Sequence, residues 1–198
     1  MAGRVSDVGA IARVLASGGL AVVPTDTVYG LATSLQAGPV QRVFDLKGRS
    51  RDKALPVLGA ARSHLEKVAH FDSRAQRLAD AFWPGRLTIV CRRTAGFEID
   101  LGGRENDTVA VRVPASEPLL ELLKLTGPLA VTSANASGAA PATTVASARD
   151  IFGEAVDAYQ DGGICDGVPS TVISIVEEPV VLREGSLNGE DLLQMLAE

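Results

Sequence analysis

Residues 18–53 read GGLAVVPTDTVYGLATSLQAGPVQRVFDLKGRSRDK, and the predicted fold is built outward from this stretch. Residues 20–23 form an apolar run with the composition of a buried strand. Pro24 is expected to end that strand, because proline cannot donate a hydrogen bond to a neighbouring strand. The stretch therefore predicts a buried strand that opens directly onto the polar residues after it.

Small polar side chains follow this strand at once. Thr25, Asp26, Thr27 and Tyr29 occupy the predicted strand end, and Gly30 is expected to let the chain turn away. Taken alone, these residues could also be a capping element or an Asx-turn. Hydroxyl groups and a carboxylate at a strand end, followed by a basic cluster after a helix, nevertheless suit an anionic substrate.

A basic cluster ends the stretch, after a short amphipathic segment that is predicted to be helical. It consists of Arg42, Lys47, Arg49, Arg51 and Lys53. One interpretation is a solvated helix end, where the helix dipole favours cations. The other is a phosphate site, because lysine and arginine hold phosphates through charge-assisted hydrogen bonds.

Predicted helices and strands alternate along most of the chain. Helices are predicted over residues 6–17 (with Ser6 or Asp7 as N-cap), 63–69, 73–82, 117–125, 143–152 and 191–196. Strands are predicted over 20–23, 54–58, 87–92, 108–113, 128–132, 171–176 and 180–183, and residues 94–107 and 162–170 are expected to be irregular. This order predicts one α/β domain, residues 1–198, with a twisted mixed sheet and flanking helices.

Composition narrows the class of protein. The net charge of −5 argues against a surface that binds polyanions broadly, so any anion site must be a local cluster. Two cysteines, Cys91 and Cys165, form no metal-binding spacing and fit a reducing compartment. Neither a signal peptide nor a membrane-spanning apolar run is recognisable, so a cytoplasmic protein is expected.

Two further features point to a ligand. Arg112 and Arg183 each lie in an apolar predicted strand, and an arginine there must reach solvent or find a partner, because burying its charge alone is costly. Ser133 and Asn135 follow another predicted strand, although in isolation they could form an ordinary turn. If these side chains face one cleft, they would make an anion site beyond the strand ends.

The sequence lacks the residues that other common catalytic and nucleotide-binding sites require. His64 and His70 are placed in a polar helix away from these motifs, which disfavours Ser-His-Asp and Cys-His sites. The sequence contains neither a GxxxxGK[ST] phosphate loop nor a GxGxxG motif after a strand, and no cluster has zinc-ligand spacing. Any nucleotide would have to be held by a different arrangement.

The motifs PTDTVYGLA, KGRSRDK, FWPGRLT, TVAVRVP, SAN and STVISI, in this order, resemble the YrdC/TsaC family of threonylcarbamoyl-AMP synthases in its short form. The resemblance covers nearly the whole chain. It implies a YrdC-like fold with a concave electropositive cleft. It also implies formation of L-threonylcarbamoyladenylate and pyrophosphate from L-threonine, bicarbonate or carbon dioxide, and ATP with Mg²⁺, for tRNA threonylcarbamoyladenosine modification.

The resemblance assigns roles to particular residues. Lys47 and Arg49 are expected to neutralise charge on the phosphates. The ATP side is expected to consist of Arg49, Lys53, Thr108, Asn135, Thr143 and Arg183. The threonine side is expected to consist of Thr25, Asp26, Arg112, Ser133 and Ser170, with Arg112 facing the substrate carboxylate. No resident metal ligand is assigned.

Departures and alternatives accompany this assignment. Pro141-Ala142-Thr143 stands where the family often has Ser-Pro-Thr, and Ala54 follows Lys53 where proline is common.

The resemblance also implies tRNA or double-stranded RNA and the threonylcarbamoyl-transferase complex as partners. One alternative is an RNA-binding module without catalysis, which the acidic charge and few aromatics disfavour. Another is a carbamoyl-transfer domain like that of HypF proteins.

Overall fold

The computed structural model describes residues 7–197 and contains one mixed sheet of nine strands within them. Along the chain the strands are β1 (Ala21–Pro24), β2 (Tyr29–Ser34), β3 (Val57–Leu58), β4 (Leu87–Arg92), β5 (Thr108–Arg112), β6 (Leu129–Ser133), β7 (Ala158–Tyr159), β8 (Thr171–Ser174) and β9 (Val180–Arg183). Their spatial order is β7-β1-β2-β6-β3-β5-β4-β8-β9. Three neighbouring pairs are parallel and five are antiparallel, which confirms the mixed sheet.

Helices lie on both faces of this sheet. They are α1 (Val8–Ala16), α2 (Ala37–Lys47), α3 (Arg62–Leu65), α4 (Ser73–Phe82), α5 (Glu117–Thr126), α6 (Val145–Phe152) and α7 (Gly189–Ala197), and a 3-10 turn covers Gly153–Ala155. Asp7 caps α1 by accepting from Ala10 N, while the alternative cap Ser6 lies outside the described residues. Thr144 caps α6 by accepting from Ser147 N.

The two faces are covered unequally. Helices α2, α4, α6 and α7 pack on one face, where every other residue of the central strands is buried and apolar, as with Leu87, Ile89 and Cys91 of β4. Each such aliphatic side chain contributes about 1.5–3 kcal/mol by leaving water. On the opposite face, α1 and α5 cover the β7-β1-β2-β6 half. Among residues 7–197 no helix covers the half formed by β5, β4, β8 and β9, and the cleft described below lies there.

Several predicted boundaries were wrong, and the strand after Pro24 is the main case. Tyr29–Ser34 continues as β2 between β1 and β6, so Gly30 lies within a strand instead of at a turn. A Cβ added at Gly30 would lie 2.6 Å from Cγ1 of Val131, which explains the glycine by close strand packing. Pro24 is the last residue of β1; it is tolerated because β7 pairs only with Ala21 and Val22.

Two smaller corrections concern the middle and the end of the chain. The predicted helix over residues 63–69 is the single turn α3, which leaves His70 exposed and outside any helix. The two-residue strand β7 was not predicted. Within the described residues, no helix combines the length and the apolar character needed to cross a membrane.

Candidate active site

A cleft of about 450 Å³ lies on the uncovered half of the sheet. Its floor is largely apolar and comes from residues that alternate with the buried ones, including Val90 of β4, Ala110 of β5 and Val172 of β8. Its rim is polar and contains seven of the twelve predicted site residues, namely Thr25, Arg49, Lys53, Arg112, Ser133, Ser170 and Arg183. The volume is typical of small-molecule sites.

The cleft is lined by three basic side chains that have no carboxylate partner among residues 7–197, namely Arg49, Lys53 and Arg183. Arg49 follows α2, and its guanidinium donates to the carbonyl oxygens of Lys53 and Ala54 at 2.8 and 2.9 Å. Arg183, at the end of β9, donates to the carbonyl oxygen of Ser170 from Nε and Nη2. Both guanidinium groups line the same cleft, and burial together with the charge of Arg183 lowers the pKa of Arg49. An anion between them would be stabilised by both.

Arg112 is different, because it is paired. Its Nη2 lies 2.7 Å from both carboxylate oxygens of Asp26, and its Nε donates to the carbonyl oxygen of Gly85 at 2.8 Å. Nη1 points to Thr27 Oγ1 at 3.5 Å, which leaves most of the donor capacity of that nitrogen for a ligand. Both side chains of the ion pair are over 90% buried. The expectation that a strand arginine would need a partner is confirmed, and the partner is one of the predicted site residues.

Lys47 does not share the position of the other basic residues. It is 3% exposed, and its Nζ donates to Ser133 O, Asn135 O and Asn135 Oδ1 at 2.5, 2.6 and 2.9 Å. An ammonium has three hydrogens, so all are used within the protein. Val40, Val43, Phe44 and Lys47 are the buried residues of α2, at the i, i+3, i+4 and i+7 spacing of a helix face that points inward.

The loop after β6 is ordered around this lysine. Ser133 Oγ donates to Asn135 Oδ1 at 2.6 Å, and Asn135 Nδ2 donates to the carbonyl oxygen of Ala139 at 2.6 Å. Ser137 N in turn donates to the carbonyl oxygen of Lys47. Ser133 reaches the cleft, whereas Asn135 lies behind it, 8% exposed.

The remaining predicted residues lie away from the cleft walls. Thr108 shares the open face of β5 with Ala110 and Arg112 by alternation, but it lies beyond the cleft, with its hydroxyl on the carbonyl oxygen of Glu105. Thr143 lies beside the loop of residues 162–170, where its carbonyl oxygen accepts from Cys165 N. The ATP contacts of Thr108, Asn135 and Thr143 stay predictions.

Sequence reasoning missed Thr88, and it named Thr27 only among the polar residues at the strand end without assigning it to the ATP side or the threonine side. Both line the cleft and are at most 5% exposed. Thr27 Oγ1 lies 2.9 Å from Thr25 Oγ1, and Thr88 Oγ1 lies 2.9 Å from Ser170 Oγ. The signal for Thr88 was present, because a threonine between Leu87 and Ile89 must face the other side of the sheet.

Metal chemistry would depend on the ligand that enters. Among the described residues, no group of three or more His, Cys, Asp or Glu side chains is arranged to hold a metal ion. The cleft instead offers cations and hydroxyl groups, which are donors for an anion.

Fold and cleft together define an α/β domain with a cleft on the open half of its sheet, lined by arginine and lysine side chains beside a buried Arg-Asp pair. Residues 13–185 match a family model for Sua5, YciO and YrdC proteins, which is described as telomere recombination. The chain belongs to this family.

Relatives in the family extend this finding. A threonylcarbamoyl-AMP synthase of Pyrococcus abyssi is 40% identical over 194 residues, which is 94% of this chain and 56% of that protein. A putative threonylcarbamoyl-AMP synthase of Mycobacterium tuberculosis is 36% identical over 198 residues, covering 98% of this chain and 89% of that protein. The chain thus spans about half the length of the first relative and most of the second.

Solved structures agree with the fold. P. abyssi Sua5 complexed with L-threonine matches 95% of this chain and 56% of its own, with a TM-score of 0.86 and 36% identity. Escherichia coli YciO matches 94% of this chain and 92% of its own, with a TM-score of 0.87 and 24% identity. The second likeness supports the fold alone.

Proposed function

We propose that this chain is a threonylcarbamoyl-AMP synthase, which forms L-threonylcarbamoyladenylate and pyrophosphate from L-threonine, bicarbonate or carbon dioxide, and ATP. The observation that carries the proposal is that Arg49, Lys53 and Arg183 line one cleft together with the Arg112–Asp26 pair. Cations without carboxylate partners can bind the negative charges of a polyphosphate. A buried pair of opposite charges can bind the carboxylate and the ammonium group of an amino acid. The relatives' names and the threonine complex of P. abyssi Sua5 support the same reaction.

The nucleotide would lie along the side of the cleft formed by Arg49, Lys53 and Arg183. Arg49 and Arg183 already have their backbone contacts fixed, so little reorganisation is needed when phosphate arrives. Mg²⁺ would enter on the ATP phosphates and share their charge. Thr108, Asn135 and Thr143 would complete the contacts toward the nucleoside or order the loops that make them.

Threonine would lie against Thr25, Ser133, Ser170 and the Arg112–Asp26 pair. Nη1 of Arg112 is free to donate to the substrate carboxylate while Nη2 keeps Asp26. Asp26 would hold the guanidinium in place and attract the substrate ammonium before it loses a proton. Such an arrangement fixes both ends of a small amino acid.

The chemistry then needs positioning more than a strong base. The neutral amine of threonine adds to the carbon of carbon dioxide and its nitrogen then loses a proton to water, or it adds to bicarbonate with loss of water; either route gives a carbamate. A carbamate oxygen attacks the α-phosphorus of ATP, and the bond from that phosphorus to the bridging oxygen breaks to release pyrophosphate. Arg49 and Arg183 would stabilise the negative charge that builds on the leaving group. Lys47 would act from behind by holding Ser133 and Asn135.

The product would be passed on for threonylcarbamoyladenosine formation in tRNA, with tRNA or double-stranded RNA and the threonylcarbamoyl-transferase complex as the proposed partners. A carbamoyl adenylate is a reactive mixed anhydride, so its release near an acceptor would limit loss by hydrolysis.

Pyrophosphate release from ATP tests the proposal, measured with and without L-threonine and bicarbonate. We expect release only when both are present, together with a product of the mass of threonylcarbamoyladenylate. Arg49→Ala should lower kcat/KM at least about 100-fold while the far-UV spectrum stays unchanged. A folded Arg49→Ala variant with full activity would contradict the proposal. Pyrophosphate release at the same rate with and without threonine would also contradict it.

A further inference from the structure

The strand residue Thr88, which the proposed reaction does not yet use, forms a hydroxyl pair with Ser170. It belongs to β4, faces the cleft and is 5% exposed. Its Oγ1 is 2.9 Å from Ser170 Oγ, across the parallel pairing of β4 and β8. Ser170 is itself 4% exposed, so water cannot readily replace either hydroxyl partner.

Ser170 in turn holds Arg183. The Nη2 of Arg183 donates to Ser170 Oγ at 3.1 Å and to Ser170 O at 2.8 Å, and Nε donates to the same carbonyl oxygen at 3.1 Å. A guanidinium can only donate, so Ser170 Oγ must accept from Arg183. The hydroxyl hydrogens of Ser170 and Thr88 then supply the bond between them and leave one hydrogen for a ligand.

We infer that Thr88 is a positioning residue that acts through Ser170 to fix the guanidinium of Arg183 for the phosphate groups of a nucleotide. Without the Thr88 hydroxyl, the buried Ser170 hydroxyl loses a partner and can turn away from Arg183. Arg183 would then keep only its two bonds to a carbonyl oxygen and would sample more orientations. The hydrogen bonds that hold Arg49 go to the carbonyl oxygens of Lys53 and Ala54 and do not involve Thr88 or Ser170, so this side of the proposed anion site should stay intact.

The inference rests on the proposed function, and binding of inorganic pyrophosphate separates the two. Calorimetry would compare Thr88→Val, Thr88→Ser and Thr33→Val with the wild-type chain. Thr33 is a matched control, because it is a fully buried strand threonine whose hydroxyl donates to Gly19 O and lies outside the cleft lining.

We expect Thr88→Val to weaken pyrophosphate binding about tenfold, the equivalent of one charge-assisted hydrogen bond, while Thr88→Ser and Thr33→Val stay within about twofold. Thr88→Val should also raise the KM for ATP more than the KM for threonine. In an Arg183→Gln background, Thr88→Val should add no further loss. The inference would be overturned if Thr88→Val and Thr33→Val bound pyrophosphate equally well, or if the losses from Thr88→Val and Arg183→Gln were additive. It would also be overturned if the wild type did not bind pyrophosphate. Absence of synthase activity with these binding differences intact would instead reject the proposed function alone.

Discussion

Replacing Lys47 by methionine tests whether this lysine supports the site from behind or contacts phosphate. The change keeps an unbranched side chain, one atom shorter, and removes the ammonium that donates to Ser133 O, Asn135 O and Asn135 Oδ1. Asn135 Oδ1 still accepts from Ser133 Oγ, and Ser133 O still accepts from Asn135 N, so the carbonyl oxygen of Asn135 is the acceptor that is left unsatisfied. At about 1–3 kcal/mol for an unsatisfied buried group, the loss would be about 1–3 kcal/mol. We expect the lower part of this range, about 1–2 kcal/mol, because the variant no longer buries a charge.

Lys53 supplies the matched control for this prediction. It belongs to the same basic cluster, but its side chain is exposed and lines the cleft. Urea unfolding should show that Lys53→Met changes the free energy of unfolding by less than about 0.5 kcal/mol, as is usual for surface substitutions, while it weakens ATP binding. A Lys47→Met variant as stable as the wild type but unable to bind ATP would refute the supporting role and favour direct phosphate contact.

Two further predictions concern the buried charges. Asp26→Asn leaves the buried Arg112 guanidinium without its counterion, so the free energy of unfolding should fall by about 3–5 kcal/mol. The KM for threonine should also rise. A variant as stable as the wild type in urea would contradict this prediction. Burial and then the charge of Arg49 lower the pKa of Lys47 from 10.5 to about 8. The unfolded chain therefore binds more protons than the folded chain between these values, and the wild-type free energy of unfolding, relative to Lys47→Met, should be flat below pH 8 and rise up to pH 10.5. Urea titrations at pH 7.5 and 9.5 check the sign, and an unchanged difference between these two pH values would show that the folded state retains the proton and would contradict the prediction.

Local patterns were sufficient for the elements with strong periodicity. Strand β4 was predicted with its observed bounds, because residues 87–92 are rich in apolar and β-branched residues between turn signals. Strand β2 was missed because YGLATS has small residues and only weak strand preference, and its pairing with β6 brings together residues about 100 positions apart. No local signal reports such a pairing.

In the candidate site, too, some features follow from local sequence and others depend on the fold. The need of Arg112 for a partner follows from the cost of burying a charge, but its partner Asp26 is 86 residues away and only the fold brings the two together. The inward position of Lys47 could have been read from its helical spacing with Val40 and Phe44. It was hidden by the basic residues that follow it, which indicate a solvated cluster.

A crystal structure of the chain with L-threonine and a non-hydrolysable ATP analogue tests the central claim most directly, namely that the open half of the sheet holds both substrates side by side. We predict phosphate oxygens within hydrogen-bond distance of Arg49 and Arg183, and the threonine carboxylate on Nη1 of Arg112 with Asp26 still paired. Binding of the nucleotide in the smaller cavity beside Trp83 and Val113, with the cleft empty, would contradict it.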